Sequence, residues 1–201
     1  MKILGLDTTG AHCSVALVDT AKVLAYKSEN IGRGHAERLA PMVAEVLAEA
    51  GLAAIDVDKI AVCTGPGSFT GLRVALAFAK GFALPRKLPV VGIDALRITA
   101  EDIAKTDNPE TIIVYRDIRR GEVLRGKYLN GHQIGDIVTT TEDDVINEAN
   151  ELGLILVESI TIDVSLLARL GAELSPADYP AAPLYSRGPD AKLPGGLDPA
   201  K

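Results

Sequence analysis

Two aspartates and one glycine-rich turn carry most of the chemistry this chain could perform. Asp7 and Asp117 each close an apolar, strand-like run. Two carboxylates facing each other across a cleft could organise a magnesium-bound phosphate. The turn GPGSFTGLR at 65–73 joins the apolar run 60–63 to a helical pattern at 72–84. Glycine reaches positive φ cheaply. A strand passing through such a turn into a helix aims free N–H groups and the positive end of the helix dipole the same way. Gly65, Gly67, Ser68 and Thr70, with Asp7, Thr8 and Asp117, are therefore candidate nucleotide- or phosphate-binding positions. Each has a plainer reading: Asp commonly opens a turn, and glycine turns also pack helices onto sheets. No Lys follows Gly71, as a P-loop requires, and Thr70 stands where a dinucleotide fingerprint needs Gly. Neither a Ser/His/Asp set nor a metal-ligand set is visible among the residues.

The elements that would position these residues repeat. Runs at 2–7, 13–18 and 23–28 read as strands, 35–50 as a helix, 60–63 as a strand and 72–84 as a helix. After Asp107-Asn108-Pro109 the order recurs: strands at 111–117, 122–129 and 133–140, a helix at 143–150, a strand at 154–158 and a helix at 163–170. Between the halves lie a strand at 88–92 and a helix at 95–104, for which Asp94 is the N-cap candidate. Two β-β-β-α-β-α units in tandem predict an α/β chain with a duplicated ribonuclease-H-like, actin-like fold. The first subdomain is expected over 1–106 and a shorter second one over 107–201. The tail from Ser175 carries six prolines and predicts an extended or disordered surface segment.

Composition bounds the rest. The chain has 201 residues, is 47% hydrophobic and carries a net charge of −6. That balance suits one domain or two small ones and makes a poor lone binder of nucleic acid. The start, with Asp7 interrupting it, does not read as a signal peptide, and no apolar run is long enough to cross a bilayer. Cys13 and Cys63 lie in strand-like runs and read as buried hydrophobes in a reducing cytoplasm.

Several segments, in order from one end of the chain to the other, resemble the TsaB (YeaZ) family. They are Ile3-Leu4-Gly5-Leu6-Asp7-Thr8-Thr9, His35-Ala36-Glu37-Arg38-Leu39-Ala40-Pro41-Met42, GPGSFTGLR at 65–73, Asp117-Ile118-Arg119-Arg120-Gly121-Glu122-Val123 and Pro183-Leu184-Tyr185-Ser186-Arg187. The resemblance implies an actin-like (ASKHA) fold and a non-catalytic role as dimerisation subunit of the bacterial tRNA threonylcarbamoyladenosine machinery. It implies pairing with a related catalytic subunit, TsaD. With the ATPase TsaE, that pair transfers a threonylcarbamoyl group to the adenosine beside the anticodon. The catalytic relative grips its metal through His-x-x-x-His, two ligands on one helix face. Here the pattern reads His35 to Leu39, and Leu39 has no lone pair. No firmly bound cofactor or metal is expected; ATP with magnesium is left open, bound weakly by this chain or only within the assembled complex.

The helical pattern at 72–84 carries only Arg73 and Lys80 as charges. A helix apolar nearly all round must be buried nearly all round. One sheet covers one side, so a partner is expected on the other: a TsaD-like subunit, or a second copy when the chain is alone. The expected interface comprises Leu39, Met42, Val43 and Val46 from the first helix and Leu72, Ala75, Leu76, Ala79 and Phe82 from the second. Replacing Ala79 with Arg should then break association without unfolding the chain. Arg116, Arg119, Arg120, Arg125 and Lys127 form the one basic cluster, read either as an anion contact or as a solvated hairpin. The leading reading is a cytoplasmic scaffold that meets tRNA only indirectly. The alternative is a stand-alone ATPase or small kinase using Asp7 and Asp117 with magnesium.

Overall fold

Strands and helices alternate as the hydrophobic periods predict. The computed structural model describes residues 1–20, 22–105 and 111–185. In the first half an antiparallel meander, β1 (Lys2–Asp7), β2 (His12–Asp19) and β3 (Lys22–Asn30), is followed by α1 (His35–Glu49), β4 (Lys59–Cys63), α2 (Phe69–Ala83), β5 (Val90–Ile93) and α3 (Ala95–Ile103). β4 runs parallel to β1 and β5 parallel to β4, giving the sheet order β3-β2-β1-β4-β5. The second half repeats the scheme with β6 (Thr111–Asp117), β7 (Glu122–Leu129), β8 (His132–Thr141), α4 (Glu142–Leu152), β9 (Ile155–Glu158) and α5 (Val164–Glu173). Its sheet order is β8-β7-β6-β9, with β9 parallel to β6. The expected boundary between 1–106 and 107–201, and the Asp107-Asn108-Pro109 turn, fall outside the described residues.

The central strands are continuous apolar runs because both faces of the first sheet are covered. On one face Leu4, Leu6, Val15, Ile60 and Val62 pack with Leu39, Met42, Val43 and Val46 of α1 and Ala75, Leu76 and Ala79 of α2. On the other face Ile3, Ala16, Val18, Ala61 and Cys63 pack with Val164, Leu167 and Ala168 of α5. Thus a helix from the second half closes the core of the first. The exchange is mutual: Leu96 and Ala100 of α3 pack with Ile112, Val114 and Tyr128 of the second sheet, while α4 covers that sheet's far face through Val145 and Ala149.

Close approach makes the α5 contact possible. A Cβ on Gly5 would lie 2.7 Å from the Val164 carbonyl oxygen, and one on Gly171 would lie 2.5 Å from the Ala61 Cβ. Lys59 Nζ then ties down the far end of α5 by donating to the carbonyls of Ala172 (3.3 Å) and Leu174 (2.5 Å). Asp94 caps α3 as expected, its Oδ1 accepting from Arg97 N at 2.9 Å. The described part of the tail lies along the sheet rather than away from it. Gly92 N donates to Tyr179 O (3.0 Å) and Leu184 N to Thr64 O (2.8 Å).

Candidate functional site

The two aspartates close their strands in the same way. Asp7 Oδ1 accepts from Thr9 N at 2.9 Å, and Asp117 Oδ1 accepts from Arg119 N at 2.6 Å. Each carboxylate therefore holds the turn that follows it. Asp7 is only 5% exposed, whereas Asp117 is exposed. Asp7 lines a cleft of about 170 Å³ between the halves, together with Gly10, His12 and Tyr26 from the first and Ile160 and Thr161 from the second. Asp117 is not among its walls.

The glycine turn is clamped onto the turn that follows β1. Ser68 N donates to Thr9 O at 2.8 Å, and Thr8 Oγ1 donates to Gly71 O at 2.6 Å. A Cβ on Gly67 would stand 2.3 Å from Thr9 O, and one on Gly71 only 1.9 Å from Thr8 O. The glycines thus let the start of α2 press against the backbone at Thr8 and Thr9. Gly65, at φ +95° before a cis Gly65–Pro66 bond, accepts from Ala95 N at 2.6 Å and so also braces the start of α3. Ser68 caps α2, its Oγ accepting from Gly71 N at 3.3 Å. Of the candidate phosphate-binding positions, Asp7, Thr8 and Gly65 are buried, while Gly67, Ser68, Thr70 and Asp117 are exposed.

The basic cluster does not form one surface. Arg125 and Lys127 on β7 are both paired with Glu148 of α4: Arg125 Nη2 donates at 3.1 Å and Lys127 Nζ stands at 2.7 Å. Arg119 and Arg120 form the tip of the turn, both at positive φ. Arg116 points inward from β6 and is 8% exposed. His35 begins α1 with Nε2 buried and unpartnered, and Leu39, one turn on, is sealed in the core. Among the described residues no three His, Cys, Asp or Glu side chains stand together as a metal site. Both cysteines are buried, and burial pushes the Cys13 thiol up to about 11 and raises that of Cys63.

The outer face of the helices needs a correction. Every residue expected at an interface except Phe82 is buried against the chain's own sheet, Ala75 and Ala79 completely. Spacing identified one stripe on each helix but did not say which way it turned. The outward stripe is a different set: Ala36, Ala40 and Ala44 on α1 and Phe69, Arg73 and Ala77 on α2 are exposed, with Val74, Phe78 and Phe82 half-buried beside them. Between them runs an apolar groove of about 480 Å³, walled by Ala36, Phe69, Val74, Ala77 and Phe78. Phe69 is 54% exposed, and at its end of the groove the Arg73 guanidinium lies 3.8 Å over its ring. Arg73 Nε donates to the Tyr185 hydroxyl at 3.3 Å, so the tail joins the same cluster. Tyr185 was visible in the sequence only as part of a motif, and nothing there placed it beside α2.

Two sheets built on one β-β-β-α-β-α plan, with a cleft between the halves, define an α/β chain of the actin-like (ASKHA) class. The TsaD family model, described as tRNA N6-adenosine threonylcarbamoyltransferase, matches residues 23–179. The chain is 36% identical to the tRNA threonylcarbamoyladenosine biosynthesis protein TsaB of Escherichia coli (strain K12) over 128 residues, covering 64% of this chain and 55% of that protein. It is 32% identical to an uncharacterized protein of Mycobacterium bovis over 203 residues, covering 94% of this chain and 93% of the other. Its fold is similar to that of YeaZ from Pseudomonas aeruginosa, with a TM-score of 0.74 and 27% identity over 92% of this chain and 99% of that one. The chain belongs to the TsaB (YeaZ) family. It spans about half the length of the curated TsaB proteins it matches.

Proposed function

We propose that this chain is a non-catalytic docking subunit in the threonylcarbamoylation of tRNA adenosine, and that its outer α1–α2 face seats a TsaD-like catalytic relative. The observation that carries this reading is the apolar groove with its exposed Phe69 and Ala77 and half-buried Val74 and Phe78. Contiguous apolar surface of this kind marks interaction sites, and aromatic and arginine side chains anchor interfaces. A standard interface buries roughly 800 Å² per partner, within reach of two fifteen-residue helices lying side by side. When the partner is missing, the same face pairs two copies of the chain.

The non-catalytic assignment rests on His35 and Leu39, where one side chain of a metal-gripping pair is aliphatic. A TsaE-like ATPase enters through the assembled complex, and tRNA is met indirectly, in keeping with the net charge of −6. No helix of the described residues is long and apolar enough to cross a membrane, and the proposed reaction places the chain in the cytoplasm. Reconstitution tests the reading. Transfer to tRNA is expected with this chain, a TsaD-like and a TsaE-like protein together, and not when this chain is omitted or present alone. Undiminished transfer without this chain would overturn it.

A further inference from the structure

We propose that Arg73, fixed in place by Phe69 and Tyr185, is a carboxylate receptor at the mouth of the α1–α2 groove. The segment seated there then carries an Asp or Glu beside the apolar side chains that fill the groove. This rests on the docking reading and adds the chemistry of the occupant, an acidic amphipathic segment of the TsaD-like partner. Side chains on a helix lean toward its N-terminus. Arg73 accordingly reaches back one turn, and its guanidinium lies 3.8 Å over the Phe69 ring. Tyr185, 112 residues further along the chain, accepts from Arg73 Nε at 3.3 Å. Its ring stands 5.5 Å from that of Phe69. One face and the Nε edge of the guanidinium are thus engaged, and the two Nη groups remain. Among the described residues neither Nη has a hydrogen-bond partner, and no carboxylate is ion-paired with Arg73. The cation is held in one place and left unpaired.

Charge complementarity selects the occupant. The planar fork of an arginine matches both oxygens of a carboxylate. A side chain already stacked and bonded gives up little further freedom when it binds one. Arg73 stands in the wall of the groove beside Val74, Ala77 and Phe78, so a carboxylate on it lies next to apolar contacts. Helix α2 holds no acidic residue, and its two charges, Arg73 and Lys80, are both exposed. Seven residues apart, they share one stripe. Lys80 likewise has no ion pair among the described residues. This side of the groove is therefore a positive row on a chain whose net charge is −6. A helix with acidic residues two turns apart along the edge of its apolar stripe fits it. A basic or neutral segment would desolvate the guanidinium and leave it unpaired, at a cost. A second copy brings the same two cations to the face and matches it less well.

Biolayer interferometry of the full chain against an immobilised TsaD-like protein tests this, with Ala77→Arg as the control for the groove itself. Arg73→Met is expected to raise koff about tenfold or more, and Tyr185→Phe, which loses only the hydroxyl, by a smaller factor. Arg73→Glu should weaken capture further than Arg73→Met, because it replaces a lost attraction with a repulsion. Capture by Arg73→Met that matches the unmodified chain, while Ala77→Arg abolishes it, overturns the carboxylate receptor and leaves the docking reading standing. Capture that neither change weakens, or no capture by the unmodified chain, overturns both. Self-association weakened by Arg73→Met, with capture of the TsaD-like protein unchanged, assigns the carboxylate to a second copy and also overturns the proposal. Should Arg73→Met fail to fold, the unmodified chain decides. Its capture must weaken as sodium chloride rises from about 0.05 to 0.5 M, and capture that salt leaves unchanged overturns the proposal.

Discussion

A single methyl group placed on Gly71 would lie 1.9 Å from the Thr8 carbonyl oxygen, well inside any tolerable contact. Gly71→Ala is therefore expected to destabilise the fold by about 2–4 kcal/mol, because backbone at both ends of the clash must move. A chain of this size should lose roughly 5–12 °C in Tm, read by calorimetry. An unchanged Tm would mean that the turn is not clamped as described. The three glycines were plain in the sequence, but their purpose was not. Whether such a turn holds an anion or a neighbouring backbone depends on what lies opposite, and Thr8 and Thr9 are sixty residues away along the chain. A second residue-scale consequence concerns pH. Arg38 donates to both Glu29 and Glu45, and Lys27 also pairs with Glu45. The hydrogen bonds from Arg38 hold the Glu29 carboxyl below its ordinary value and, with Lys27, pull that of Glu45 down to about 2. A depressed carboxyl stabilises the folded state above its unfolded pKa and loses that contribution as pH falls through the folded one. The contribution of Glu45 is thus complete above about pH 5 and fades toward pH 2. Arg38→Met should flatten the fall in stability across this window, as denaturant titrations at stepped pH would show. A profile identical to that of the unmodified chain would contradict the pairing.

At the scale of elements, α1 and α2 were legible as helices and illegible as surfaces. The apolar period placed α1 to within a residue but started α2 at 72, three residues after its actual start at Phe69, where the Ser68 hydroxyl caps it. Their orientation does not follow from that period, because α2 is apolar on nearly every side and its pattern carries no arrow. The structure turns Ala79 fully inward and leaves Ala77, two residues earlier, exposed. The two positions should therefore answer the same substitution differently. Ala79→Arg forces a charge into the core between α2 and the first sheet and is expected to cost about 4 kcal/mol or more, lowering or abolishing cooperative unfolding. Ala77→Arg extends into the groove and should leave Tm within a few degrees. Circular dichroism melts of the two proteins separate these outcomes, and equal melts would refute the assigned faces. The basic hairpin gives a similar lesson. Five cations close in sequence looked like one patch, yet strand alternation and Glu148 of α4 divide them between the interior, an ion-paired face and a turn tip.

Over the whole molecule, the repeated strand and helix order announced a duplicated fold, and the aspartate ending each first strand marked where the repeats begin. The exchange of helices was hidden. Nothing in the period of α3 or α5 says that each covers the other half's sheet, because an apolar stripe fits any apolar face of the right shape. The exchange makes the halves depend on each other. Leu167→Asp in α5 strikes the face formed by Ile3, Val18 and Ala61, so it should lower the stability of both halves in one shared unfolding transition. Two separate transitions would show that the halves fold independently. What the interlocked core leaves outside is the groove between α1 and α2, and the proposed role of the chain depends on that groove being a docking surface. The most direct measurement is sedimentation of the folded Ala77→Arg protein beside the unmodified chain, alone and mixed with a TsaD-like protein. The account predicts that the unmodified chain self-associates and captures the partner, and that the variant remains a monomer in both conditions. An Ala77→Arg protein that is folded and still pairs like the unmodified chain would contradict it.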